Sequence, residues 1–212
     1  MKLISRPASP YARKARIMII ERGMQDRVEV QMLSIEESQA LLPDLNPLVK
    51  VPAFMTDDGT LLYDSPVICE YLDTQHDGDK FFPAEGAERW RVLRLQALGD
   101  GVGDAIVAYA VETGKPEDKQ MPGTFTRQMA KIENGLNYLE ANMSELAGPL
   151  NIGQLAVVCA IGYWDFRCDD PVWRNGRPQF SAWVDEIRAR PSLQETVFHR
   201  PEGTASMQVQ AA

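Results

Sequence analysis

Two serine–proline steps carry the most suggestive chemistry in this chain: Ser9–Pro10 and Ser65–Pro66. Serine is a favoured helix N-cap, and proline suits the first helical position, where its missing N–H is no loss. Apolar residues follow each step at helical spacing, Ala12, Ala15, Ile17 and Met18 after the first and Val67, Ile68, Tyr71 and Leu72 after the second. The spacing therefore predicts two helices, each with a hydroxyl at its mouth. The first turn of a helix holds unpaired N–H groups and the positive end of the macrodipole, so an anion placed there is stabilised. Simple capping is the plainer use of the same residues.

The elements that must position these residues follow from the same pattern. "MKLIS" at 1–5 reads as a buried strand, 10–23 as a helix stopped by Gly23, and "RVEVQML" at 27–33 as an alternating strand. A short irregular helix is expected over 35–42. "VPAFMT" and "TLLYD" flank "DDG", a hairpin signal. The order is β-α-β-α-β-β-α up to residue 76. "DGDKFFPAEG", 77–86, is a polar connection, and beyond it strand signals vanish. Residues 87–112, 122–143, 151–167 and 178–189 all show helical periodicity. The fold class is thus α/β followed by all-α: residues 1–78, then a helical unit at 87–200, with a mobile polar tail at 201–212. The basic face of the first helix, Arg13, Lys14 and Arg16, reads as a solvated surface.

The chain has 212 residues and a net charge of −8, which disfavours nucleic acid and anionic membranes as partners. No apolar run approaches the roughly 20 residues of a spanning helix, and no secretory signal is visible. Three cysteines, Cys69, Cys159 and Cys168, form no C-x-x-C pair, which fits a reducing cytoplasm. His76 and His199 stand far apart with no cysteine neighbours, so no metal site is expected.

Three motifs, "SPYARKARIMIIE", "NPLVKVP" and "DSPVICEYL", occur in order ahead of a helical remainder. Together they resemble the N-terminal domain of glutathione transferases, and the resemblance covers roughly residues 1–200. "LQALGDGVGDAIVAY" looks like bacterial members. The resemblance implies a thioredoxin-like domain, a helical-bundle domain, glutathione as co-substrate and a homodimer. Thioredoxin-like oxidoreductases place a cysteine where Ser9 stands. Serine cannot form a mixed disulfide and Ala12 removes any resolving thiol, so the thiol must come from the ligand.

By this resemblance Ser9 is the catalytic residue: its hydroxyl donates to the glutathione sulfur and, with the helix end, lowers the thiol pKa. Ser5 is a competing hydroxyl and Tyr11 a weaker one. Val51–Pro52 is implied to be a cis peptide that turns the Val51 backbone outward for an extended tripeptide, and Lys50 offers a cation to the glycyl carboxylate. Asp64 meets the ammonium and Ser65, as N-cap, the γ-glutamyl carboxylate. Asp100 or Asp104 reaches across the dimer. Tyr11, Tyr109, Trp164 and Phe166 are candidates for the pocket of a small-molecule electrophile. A glutathione-dependent disulfide or peroxide reductase, or a non-enzymatic binding protein, are the rival functions. The sequence departs from the family at "NIGQ", where Asn151 and Gln154 replace the usual Ser/Thr and Asp; a neutral capping box is expected there. The Ser-Ser-Cys pattern of the maleylacetoacetate isomerase group is absent.

Overall fold

A computed structural model describes residues 1–170, 172–198 and 207. Four strands, β1 (Lys2–Ser5), β2 (Glu29–Met32), β3 (Ala53–Met55) and β4 (Leu61–Leu62), form one sheet in the order β2-β1-β3-β4. β1 and β2 are parallel, with Leu3 opposite Val30; β1–β3 and β3–β4 are antiparallel. The helix α1 (Pro10–Glu21) makes the crossover that a parallel pair requires. α2 (Ile35–Leu45) and α3 (Ser65–Thr74) complete a thioredoxin-like unit. α4 (Gly86–Thr113), α5 (Pro122–Ala141), α6 (Ile152–Arg167), α7 (Pro178–Arg188) and α8 (Pro191–Glu195) follow, with no further strand among the described residues.

The centre of the molecule is α6. Every residue from Ile152 to Ile161 is buried, so this helix is covered on all faces. One side joins Trp164, Leu136 and Trp173 in the helical core. The other, through Ile152, Leu155 and Val158, joins Leu3, Ile17 and Phe54 in a second core beneath the sheet. α6 approaches α4 closely because Gly99 has no side chain: a Cβ there would lie 2.6 Å from the Val157 nitrogen. Its N-terminus carries the expected neutral capping box: the Gln154 N–H donates to Asn151 Oδ1, and the Asn151 N–H to Gln154 Oε1, each at 3.1 Å.

Three expectations need correction. The basic face of α1 is not solvated: Arg13 and Lys14 are buried, because α8 and α4 cover that face. Arg13 donates to the Leu193 carbonyl at 3.0 Å and to Thr196 Oγ1 at 3.2 Å, and Lys14 pairs with Asp100 of α4. Arg16 is half-buried, with Nε and Nη2 enclosed. α2 is longer than expected and regular at its start, held by a capping box between Ser34 and Glu37 that a scan for apolar spacing overlooks. The N-cap of α3 is Asp64, not Ser65: Ser65 already has its place in the first turn, and Asp64 is extended, with φ −92° and ψ −157°. The expected tail lies outside the described residues except for Met207, which is buried and donates its N–H to the Arg167 carbonyl at 2.6 Å.

Candidate functional site

The two units enclose a cleft of about 590 Å³, within the range of small-ligand sites. Its floor is the mouth of α1. Ser9 caps the helix as its position before Pro10 requires, with Oγ accepting the Ala12 N–H at 3.1 Å. One of its two lone pairs is thereby used, and the hydroxyl donates no hydrogen bond to any described residue. Ser9 is 7% exposed, so a partner there is largely shielded from water. Ser5 is wholly buried, is not among the residues lining the cleft, and donates its hydroxyl to the Arg6 carbonyl at 3.5 Å.

One wall is the loop before β3. Asn46, 1% exposed, pins it by donating from Nδ2 to the Lys50 carbonyl and accepting the Leu48 N–H on Oδ1, both at 2.9 Å. The loop passes through Val49 at φ +53°, an uncommon conformation for a β-branched residue. Val51–Pro52 is cis, and so is Tyr63–Asp64. The Val51 N–H and C=O meet no hydrogen-bond partner among the described residues. Lys50, Val51 and Pro52 line the cleft, and Asp64 and Ser65 join them from the mouth of α3.

The opposite wall comes from α4 and α6: Asp104, Val107, Ala108 and Tyr163. Tyr11 reaches it from α1 and donates its phenolic hydrogen to Asp104. Burial, then this bond, push the Tyr11 hydroxyl well above its ordinary range. Behind them Asp100 faces Lys14; burial outweighs the nearby ammonium and raises the Asp100 carboxyl above its ordinary value. Asp100 and Asp104, one or other of which is expected to reach across a dimer, each have a partner within the chain.

Seven residues picked from sequence, Ser9, Tyr11, Lys50, Val51, Pro52, Asp64 and Ser65, therefore share this cleft. Three do not. Tyr109 and Trp164 are fully buried in the helical core, Tyr109 with its ring edge-on to Phe125 at 4.9 Å. Phe166 packs on Tyr163 and Phe198 and borders a separate groove beside Arg188. Arg6, Asn46 and Tyr163 were missed. Asn46 carried a signal, since Asn before Pro favours a turn.

The description "Glutathione S-transferase, N-terminal domain" belongs to a family model that matches residues 8–75. The chain is 31% identical over 199 residues to the uncharacterized GST-like protein YibF of Escherichia coli K12, spanning 92% of this chain and 98% of that one. A glutathione transferase family member from Pseudomonas fluorescens Pf-5, solved with bound glutathione, superposes with a TM-score of 0.87 at 43% identity, covering 92% of this chain and 97% of that one. A structure from the same organism with bound S-(propanoic acid)-glutathione gives 0.85 at 41%, over 93% and 98%. This protein belongs to the glutathione transferase family.

Proposed function

We propose that the protein binds glutathione in this cleft and uses Ser9 to hold its sulfur as a thiolate for attack on the carbon of a small electrophile. Residues 1–78 hold the tripeptide and 87–200 the second substrate. The observation that carries the reading is Ser9 Oγ, which lines the cleft and accepts the Ala12 N–H at 3.1 Å, so that its own hydrogen is available to a sulfur bound there. A free thiol has a pKa near 8.5, so only a few per cent is ionised at pH 7. A charge-assisted hydrogen bond of about 1.5–3 kcal/mol, with the helix end, is the right size to lower that value by one to two units.

The unpartnered Val51 backbone offers an extended peptide a strand-like edge, and the neighbouring Lys50 in the same lining supplies a cation for its glycyl carboxylate. Asp64 meets the ammonium and the first-turn N–H groups of α3 the glutamyl carboxylate. The Pseudomonas relative that holds a glutathione substituted on sulfur by propanoic acid supports attack on carbon. The reductase alternative is weaker here: Cys69, Cys159 and Cys168 are all buried and none lines the cleft, so no protein thiol would share the work. Exposed Val67 and Trp90, on α3 and α4, provide apolar surface for a homodimer, and a cytoplasmic setting supplies the glutathione.

Ser9→Ala tests the mechanism. Glutathione affinity should stay within about threefold, while the pKa of the bound thiol rises by about one to two units, read from thiolate ultraviolet absorbance. Unchanged absorbance would remove Ser9 from the mechanism.

A further inference from the structure

The part of the cleft facing the helical unit is electrically uneven. The Asp104 carboxylate is engaged by the Tyr11 hydroxyl. Arg6 and Tyr163 belong to the same lining. Burial raises the Tyr163 hydroxyl above its ordinary value, opposed by the nearby Arg167 and then Arg6 cations. Neither the Arg6 nor the Tyr163 side chain has a hydrogen-bond or ion-pair partner among the described residues. Arg6 also acts on Glu36 through space but makes no ion pair with it. Val107 and Ala108 add apolar surface to the same lining. A chain of net charge −8 thus leaves, among its described residues, a cation and a hydroxyl without side-chain partners in the lining of this cleft.

We propose that the second substrate is a small electrophile bearing a carboxylate, seated on the Arg6 guanidinium with the Tyr163 hydroxyl as a second donor. The proposal rests on the glutathione reading above and names the substrate class for the same cleft. A guanidinium presents two parallel N–H donors that match the two oxygens of a carboxylate, a fit a lone ammonium lacks. For a conjugated acid, the thiolate forms a C–S bond to the β-carbon and the π pair moves toward the α-carbon and carboxylate. Pairing with Arg6 eases that charge. The α-carbon then takes a proton from water, replacing the one the thiol released on ionising. The sum is addition of S–H across C=C, with no oxidant or reductant.

The test is calorimetric and independent of turnover. Glutathione, S-(2-carboxyethyl)glutathione and its neutral amide, S-(2-carbamoylethyl)glutathione, are titrated into wild type, Arg6→Gln and Arg6→Lys. Wild type should bind the acid about tenfold more tightly than the amide, the equivalent of one charge-assisted bond. Arg6→Gln should erase that difference with glutathione itself unchanged, and Arg6→Lys should restore part of it. If wild type binds glutathione but treats acid and amide alike, the carboxylate proposal falls and the glutathione reading survives. If Arg6→Gln weakens glutathione as much as the acid conjugate, Arg6 serves the tripeptide and the proposal is wrong. Failure to bind glutathione at all overturns both.

Discussion

Lys14 and Asp100 meet as an ion pair across the two halves of the molecule, the lysine 1% exposed and the aspartate 23%. α1 contributes the cation and α4 the anion, so the mouth of the thiol site and the wall facing it are joined directly behind the cleft. Removing one partner of a buried pair strands the other. Asp100→Asn is therefore expected to lower unfolding free energy by about 3 kcal/mol, the low end for such a pair because Asp100 keeps some solvent. Replacing both, Lys14→Met with Asp100→Leu, should recover much of the loss. Urea midpoints decide it; a double variant as unstable as the single one would show that packing, not charge, sets the cost.

Glu21 ties the end of α1 to α8, accepting from Arg190 Nε at 3.0 Å and from the Ser192 hydroxyl. Burial opposes ionisation, but these hydrogen bonds outweigh it and hold the carboxyl below its ordinary 4.5. The folded chain then releases this proton more readily than the unfolded one. The resulting stability is complete above pH 4.5 and is lost as pH falls through the folded value. Glu21→Gln should lower the thermal midpoint at pH 7 and converge on wild type as pH falls toward 3. A gap between the two that stays constant with pH contradicts the linkage.

Gly99 is where α4 and α6 nearly touch. An alanine Cβ would meet the Val157 nitrogen at 2.6 Å, the Ala156 carbonyl carbon at 2.7 Å and the Ala156 Cβ at 2.8 Å, two of them backbone atoms that cannot swing aside. Gly99→Ala should cost about 3 kcal/mol, the upper range for overpacking, despite alanine's better helix propensity. Denaturant titration would register the loss. A stabilised variant would mean that the helices separate easily.

Ser9→Cys places a thiol where a helix end lowers its pKa. This variant should become disulfide-linked to glutathione when incubated with oxidised glutathione, seen as an adduct in intact-mass spectra that dithiothreitol removes. Wild type, with its cysteines buried, should remain unmodified under the same treatment. Absence of an adduct on the variant would argue that the tripeptide's sulfur does not approach residue 9.

The thioredoxin-like half was legible because its signals are local. Ser9–Pro10 and Gly23, which sits at φ +60°, mark the ends of α1 without knowledge of anything distant. The cleft's other wall was not, since α6 is apolar on every side. "YWDF" puts Tyr163 and Trp164 about 100° apart on the helix, and only tertiary packing decides which faces the ligand. Trp164 went to the core and Tyr163 to the cleft. Arg13 and Lys14 were misjudged for a related reason: cations are rarely buried unless paired, and their partners lie 86 to 183 positions away. Ser65 was shifted by one position because Asp64 and Ser65 are equally good caps on paper.

All three cysteines are enclosed, and burial pushes the Cys69 thiol up to about 12. Thiols held in that state resist sulfenic acid formation and disulfide exchange alike. Peroxide or a swing toward oxidised glutathione would thus leave no mark on the cysteines of this chain. On the proposed mechanism its turnover would follow the supply of reduced tripeptide from moment to moment, with no covalent memory to erase when conditions recover.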